Sequence, residues 1–356
     1  MKNPSPKTFQ HKLAAWYSKN SRKGLPWRET KDPYRIWISE AMLQQTQVAK
    51  VIPYYKRFLE KFPTVETLAD ASPTEVLDVW AGLGYYYRAK NLQAAAKTIR
   101  DRHGSRIPDR VEKLMELPGI GRYTAGAIAS IAYDHPSPIL DGNVIRVFCR
   151  YFGIEEDPKK PEVQKRLWKI ASDFVPAVSP GDFNQALMEL GALVCTPRRP
   201  QCGSCPLSGA CAARKAGKQS DIPLRAAAAR RKRILYVCGI LEDNGRVLLG
   251  RRPLNGLLPG LWEFPGGEKS PGETAKASLA RHLRERLGLN ASPQRRISAV
   301  RQVLSHRQLE ISAFTCRWSG KGHPNGYLES RWVASPELIH APLTAGMLKL
   351  AKQLYG

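Results

Sequence analysis

The sequence predicts two domains of different class. An all-α domain over residues 1–222 is followed by a basic linker over 223–233 and an α+β domain over 234–356. Three observations predict this. The apolar pattern is helical almost throughout from about residue 8 to Leu193. At Leu224-Arg-Ala-Ala-Ala-Ala-Arg-Arg-Lys-Arg233 the composition becomes basic and low in complexity, as interdomain linkers are. Beyond it the pattern shortens to strand-like runs at Ile234–Leu241, Arg246–Leu249, Arg296–Leu304, Leu309–Trp318 and Ser330–Ala334. A chain of 356 residues is long enough for two cores.

Lys and Arg number 56 against 31 Asp and Glu, a net charge of +25. This excess points to a polyanion, nucleic acid before an anionic membrane. The clusters Arg198-Arg199 and Arg230-Arg231-Lys232-Arg233 argue against charge spread for solubility alone. No apolar run approaches the length of a membrane-spanning helix, and Met1-Lys-Asn-Pro-Ser-Pro6 has no signal-peptide core. A cytoplasmic protein without a membrane partner is expected.

Taken in order, residues 8 to about 20 read as a short amphipathic helix. Gly24-Leu-Pro-Trp-Arg28 and Asp32-Pro-Tyr34 are loop chemistry leading into the next helix. The stretch from Arg35 to Lys50 lacks Gly and Pro, which predicts one long helix up to Pro53. From Ile36 to Ala49 its only charged residue is Glu40. A lone carboxylate in an apolar helix is costly to ionise, so its pKa should be raised. The ordinary alternative is a Glu that snorkels outward or bonds a neighbour. Pro63-Thr-Val-Glu66 and Ser72-Pro-Thr-Glu75 carry the pattern of a capped helix start. Between amphipathic stretches at Val76–Trp80 and Ala89–Arg100 lies Gly82-Leu-Gly-Tyr-Tyr-Tyr-Arg88. Its tyrosines serve either helix packing or a stacking wedge beside a phosphate contact from Arg88.

In Leu117-Pro-Gly-Ile-Gly-Arg-Tyr-Thr-Ala125, Gly119 and Gly121 allow a tight turn into a helix of small residues. Backbone N–H groups at such a turn can hold a phosphate whatever the base sequence. In a basic, helical chain this indicates a helix-hairpin-helix DNA-binding element. Asp141, in Pro138-Ile-Leu-Asp-Gly-Asn-Val144, is the second isolated carboxylate. As an N-cap it would accept backbone N–H bonds and stay ionised. Glu40 and Asp141 would then be held in opposite protonation states, a pattern suited to acid-assisted bond cleavage.

Seven cysteines in a cytosolic chain do not read as a disulfide framework. Cys195, Cys202, Cys205 and Cys211 are spaced C-x6-C-x2-C-x5-C, which suits zinc or an iron–sulfur cube without choosing between them. Either metal would fix the loop Thr196–Gln201 and aim Arg198 and Arg199 at DNA. Cys149, Cys238 and Cys316 read as buried thiols. In the C-terminal half, Asp243-Asn-Gly-Arg246 signals a hairpin turn, and one helix is expected from about Thr274 to Leu287.

Two motif sets coincide at this point. Ser39-Glu-Ala-Met-Leu-Gln-Gln-Thr-Gln47, Leu117-Pro-Gly-Ile-Gly-Arg-Tyr-Thr-Ala125, Leu140-Asp-Gly-Asn-Val144 and the four cysteines resemble the helix-hairpin-helix DNA glycosylase superfamily, closest to its MutY branch. Leu261-Trp-Glu-Phe-Pro-Gly-Gly267 and the helix after it resemble a Nudix (MutT-like) domain. That branch joins the two modules in this order, so the resemblance covers nearly the whole chain.

The resemblance implies a base-excision enzyme of the bacterial cytoplasm, associated with the nucleoid and monomeric. Its partner would be double-stranded DNA holding adenine opposite 8-oxoguanine or guanine. The adenine is flipped out of the duplex and its N-glycosidic bond is cut. Glu40 matches the acid that protonates the adenine ring, and Asp141 the carboxylate that stabilises an oxocarbenium-like sugar. Tyr123 and Asn143 match their supports, and Arg28 and Glu189 match further active-site positions. Gln44, Gln45 and Tyr85 match residues that fill or wedge the base stack, Tyr85 beside the 8-oxoguanine. The cysteines match ligands of a [4Fe-4S] cluster with a structural and DNA-binding role, which the resemblance favours over zinc. Ser305 and His306 match a loop that contacts the lesion, although Leu304 stands where Phe is common and Lys23 where some relatives carry Arg.

Bifunctional relatives place a Schiff-base Lys where this chain has Tyr123, which implies a monofunctional enzyme. In the Nudix box, Gly267, Glu273, Arg281, Glu285 and Gly288 fit, but His282 and Arg286 replace two glutamates. Mg²⁺-dependent pyrophosphatase chemistry should be lost, leaving a domain that reads 8-oxoguanine. Two rival functions stand beside this one: an endonuclease III-like glycosylase with lyase activity, and a non-enzymatic DNA-binding protein with a structural metal.

Overall fold

The computed structural model describes residues 5–224, 231–304, 307–320 and 322–356. Its contacts divide into two compact units, Met1–Asp70 with Asn91–Ala227, and Ala71–Lys90 with Ala228–Gly356. The second unit thus takes in one stretch of the helical half. Among the described residues no helix is long and apolar enough to cross a membrane.

In chain order the helices of the N-terminal half are α1 (Pro6–Asn20), α2 (Pro33–Leu43), α3 (Val48–Lys61), α4 (Val65–Asp70), α5 (Pro73–Trp80), α6 (Tyr87–His103), α7 (Val111–Met115), α8 (Arg122–Tyr133), α9 (Gly142–Phe152), α10 (Pro161–Phe174), α11 (Pro180–Leu193) and α12 (Ala212–Lys215). Caps start several of them. Asp32 accepts from the N–H of Tyr34 at 2.8 Å to open α2, and Ser72 with Glu75 forms a reciprocal capping box on α5. At Thr64 the reciprocal partner is Thr67, not the Glu66 that the sequence suggests. In the first unit Phe9 meets Tyr151 and Phe174 edge-on at 4.9 and 5.2 Å, joining α1, α9 and α10. Helix α2 is buried continuously from Ile36 to Met42, which is why its single carboxylate lies inside.

One expectation fails here. The stretch from Arg35 to Lys50 is not one helix: α2 stops at Leu43, Gln45 takes a left-handed φ of 56°, and α3 begins at Val48. The turn is tied by Thr46 N–H to Leu43 O at 3.2 Å and by Gln44 Nε2 to Thr124 Oγ1 on α8 at 3.3 Å. The second contact is tertiary, and no Gly or Pro announces the turn. Helix α3 then runs through Pro53 instead of ending there.

The remaining elements of the second unit are β1 (Lys232–Ile240), β2 (Glu242–Asp243), β3 (Arg246–Arg251), β4 (Trp262–Glu263), β5 (Gly266–Glu268), α13 (Ala275–Leu287), β6 (Asn290–Val303), β7 (Arg307–Ser319), β8 (Glu329–Ala334) and α14 (Ala345–Tyr355). One sheet has the order β5-β1-β7-β6, with β1 parallel to β7; the other has β2-β3-β4 with β8 on β3. Side chains alternate along β1. Ile234, Tyr236, Cys238 and Ile240 share a core with Met347 and Leu350 of α14, while Val237 joins Leu279, Leu283 and Leu287 of α13. Burial on both faces makes its run nearly continuously apolar. The Asp243–Arg246 turn has Asn244 and Gly245 at φ 47° and 71°, as a type I′ hairpin requires. Strands β4 and β5 are too short to show periodicity, and β1 begins inside the stretch expected as linker. Residues 225–230 of that stretch lie outside the described residues.

Candidate active site and nucleic-acid interface

A cavity of about 760 Å³ opens in the first unit, lined from α2, the turn after it, α8, the start of α9 and α11. Glu40, Asp141, Tyr123, Asn143, Arg28 and Glu189 all line it, with Gln44 and Gln45, so the structure brings every expected catalytic side chain to one place.

Glu40 does not snorkel outward. It is buried, and Tyr123 Oη donates to its Oε2 at 2.6 Å. Burial raises its pKa to about 7; the Asp141 charge adds to the rise, while the Tyr123 hydrogen bond and Arg28 oppose it. Burial and the nearby Glu40 and Asp141 carboxylates push Tyr123 well above the usual phenol value, so it remains a neutral donor.

Asp141 is the N-cap of α9. Its Oδ1 accepts from the Val144 N–H at 2.7 Å and its Oδ2 from Asn143 Nδ2 at 2.9 Å. The expectation that capping alone governs its ionisation needs correction. Burial raises its pKa, and the bonds from Val144 and Asn143 with the charge of Arg146 only reduce that rise. Arg146 supports this corner: Nη2 donates to Asn143 Oδ1 at 2.8 Å and to Gly191 O at 2.6 Å, and Nε to Cys195 O at 2.6 Å. One turn later the buried Arg150 donates to the carbonyls of Ile222 and Thr196 at 2.8 and 2.7 Å and to Cys195 Sγ at 3.3 Å. Sequence reasoning missed both arginines. Their i, i+4 spacing on a helix opened by Asp141 was the available signal.

Across the cavity Glu189 is fully buried between two arginines. Arg22 reaches its Oε1 with Nε at 2.9 Å and its Oε2 with Nη2 at 2.6 Å; Arg28 Nη2 reaches Oε2 at 2.8 Å. Burial alone would raise the pKa of Glu189, but hydrogen bonds from Arg22 and Arg28 outweigh it and carry it down to about 2. Arg22 was missed, and nothing in Ser21-Arg-Lys-Gly24 distinguishes it. Its neighbour Lys23 is exposed and donates to Ser21 Oγ at 3.2 Å.

The interface residues divide. Gln45 is exposed, at the left-handed turn where a side chain can be held away from the helix. Gly119 has φ 76°, and a Cβ there would lie 2.5 Å from Asn91 Cβ, so both backbone and packing require glycine. Gly121 is the N-cap residue of α8, which carries no side-chain cap. Arg198 and Arg199 are exposed beside the cysteines. In the second unit Tyr85 is partly exposed at φ 51°, with Tyr87 edge-on at 6.3 Å. Arg88 corrects an expectation. It is buried, lies over the rings of Trp80 and Tyr85 at 5.2 and 5.4 Å and donates to Gly84 O at 3.0 Å, bracing the turn from within instead of presenting its charge to a phosphate. Ser305 and His306 lie outside the described residues. Leu304 packs against the core shared by β1 and α14.

The iron-sulfur binding domain of endonuclease III matches residues 195–211, so this region carries a [4Fe-4S] cluster, for which Cys195, Cys202, Cys205 and Cys211 are the candidate ligands. Their surroundings fit it. Burial raises the thiols of Cys205 and Cys211, and the other cysteines of the set raise them further, so an assembly of thiolates here needs a cationic core. Among the described residues no three His, Cys, Asp or Glu side chains are set to hold a single metal ion.

At the Nudix-like box, Arg286 Nη1 lies 3.2 Å from Glu263 Oε1, and Tyr236 and Tyr327 donate to the same buried carboxylate at 2.9 and 3.1 Å. Arg281 pairs with Glu273 at 2.8 Å and Glu285 at 3.1 Å, and His282 Nε2 lies 2.9 Å from Glu268 O. Cationic side chains of the protein therefore neutralise the carboxylates that remain.

Comparison with known proteins gives three family matches: HhH-GPD superfamily base excision DNA repair protein over residues 38–173, the iron-sulfur binding domain of endonuclease III over 195–211, and NUDIX domain over 236–353. The chain is 37% identical to an adenine DNA glycosylase of Rattus norvegicus over 96% of its own length and 77% of that protein's. It is 36% identical to one of Homo sapiens, over 98% and 74% respectively. Among solved structures, a thermostable thymine-DNA glycosylase is 30% identical with a TM-score of 0.54, covering 59% of this chain and 97% of that one.

Proposed function

The chain belongs to the adenine DNA glycosylase family, base-excision enzymes that remove adenine from DNA, and we propose how its cavity does so and on which mispairs. One observation carries the reading: Glu40, held near pKa 7, shares a cavity with a second carboxylate, Asp141, whose hydrogen bonds favour its charged form. Glu40 donates a proton to the adenine ring, making the base a leaving group. Asp141, oriented by Asn143, faces the sugar and stabilises the oxocarbenium-like charge as the bond breaks. The Arg22–Glu189–Arg28 group is a fixed polar wall against which the flipped base is oriented. Phosphates are held at the Gly119–Gly121 turn and by Arg198 and Arg199, while Gln44, Gln45 and Tyr85 fill or wedge the stack.

The substrate is adenine opposite 8-oxoguanine or opposite guanine, and the protein acts as a monomer in the bacterial cytoplasm. Tyr123 cannot form a Schiff base, so the product is an intact abasic strand. A duplex with adenine opposite 8-oxoguanine is expected to show strand breaks only after alkali. Breaks without alkali would indicate lyase chemistry, and absence of adenine release would sink the reading. Tyr123→Phe removes a hydrogen bond that lowers the pKa of Glu40. The alkaline limb of the single-turnover rate is therefore expected to move to higher pH, and a limb that stays in place would separate Tyr123 from the acid.

A further inference from the structure

A charged tie fixes α5 to the strands of the second unit. Arg251, at the end of β3, directs Nη2 to Asp78 Oδ1 on α5 at 2.8 Å, Nη1 to Glu329 Oε1 on β8 at 2.9 Å, and Nε to Gly260 O at 3.0 Å. All three guanidinium nitrogens are committed, and the Arg251 side chain is only 10% exposed against 44% for Asp78. A second contact lies beside it: Gly260 has φ 68°, and a Cβ there would stand 2.6 Å from Leu77 Cδ1 of α5. Lys90 Nζ bonds Leu254 O beyond the turn.

The helix so held leads directly into the Tyr85 turn. Trp80, its last residue, donates from Nε1 to Gly84 O at 3.0 Å, and Arg88 lies over both Trp80 and Tyr85. A shift of α5 is therefore passed to Tyr85. We propose that Arg251 is a positioning residue for Tyr85, so that the C-terminal unit sets where this aromatic enters the base stack and hence how strongly the base opposite adenine is discriminated. The inference rests on the assignment of Tyr85 as the wedge beside 8-oxoguanine.

The test measures single-turnover adenine release on 8-oxoguanine and guanine mispairs, together with amide hydrogen exchange over residues 82–88, in the full-length protein. Arg251→Met and the milder Asp78→Asn are expected to lower the ratio of the two rates by about tenfold, within the usual range of coupling between sites. The guanine-mispair rate should stay within about twofold, and exchange in the turn should rise. An unchanged ratio in both single variants, or an equal fall on both mispairs, overturns the proposal. Tyr85→Ser is the control. If it leaves the ratio unchanged while Arg251→Met still raises exchange, the wedge assignment has failed and the tie has not. If Tyr85→Ser lowers the ratio and Arg251→Met changes neither readout, the tie has failed.

Discussion

Glu40→Gln is expected to slow adenine release by at least about 10²-fold, the low end of what a positioned proton donor contributes, while duplex binding is kept. Gln nearly matches Glu in volume and still offers an oxygen to Tyr123 Oη, so the cavity wall survives and the transferable proton is lost. In the unaltered protein the rate should fall as pH rises through about 7, because only the protonated carboxyl can donate. In Glu40→Gln that dependence should disappear along with most of the rate. Full activity in the variant would remove Glu40 from the chemistry.

The same substitution should stabilise the protein. Glu40 has a folded-state pKa raised from an ordinary 4.5 to about 7, so between those values the folded state keeps a proton that the unfolded state releases. Stability therefore falls as pH rises through that window, and above it the full cost is present, about 3 kcal/mol. Gln carries no such cost. Glu40→Gln should melt above the parent at pH 8 and close to it at pH 4. A catalytic acid buried at the expense of stability is what a stability–activity trade-off looks like at one residue.

Most of this site was legible because its chemistry breaks local patterns. Glu40 interrupts an apolar helix, Asp141 precedes a helix start, and the four cysteines crowd one loop; each is conspicuous without a fold. Long-range geometry was not legible. The break at Gln44–Gln47 depends on a contact to Thr124 on another helix, and Arg22 acquires its place only because α11 brings Glu189 beside it. Arg88 shows the converse. Its sequence context suggested a surface cation, yet the rings of Trp80 and Tyr85 and the carbonyl of Gly84 make an interior seat for the guanidinium. Burial, which decides between those outcomes, is set by tertiary packing that a single helical repeat does not encode. The same holds for Asp141, whose capping role was visible and whose burial was not.

Asp141→Asn separates the two roles of that residue. Asn is as good an N-cap as Asp, so the bond from the Val144 N–H can be kept and α9 still opens correctly. Its amide nitrogen must then face the Asn143 Nδ2 donor, which now bonds Asp141 Oδ2, a loss of about 1 kcal/mol, but the burial cost of the Asp141 charge goes with it, so net stability should change little. The catalytic loss should be far larger. Removing a fixed negative charge from beside a developing oxocarbenium should slow adenine release by about 10² to 10³-fold, the scale measured when one preorganised electrostatic partner is deleted. Thermal melting and single-turnover rates on the same preparation give both numbers. If Asp141 were only a cap, the variant would lose little of either. A rate within a few-fold of the parent would return Asp141 to a structural role and leave Glu40 without its partner.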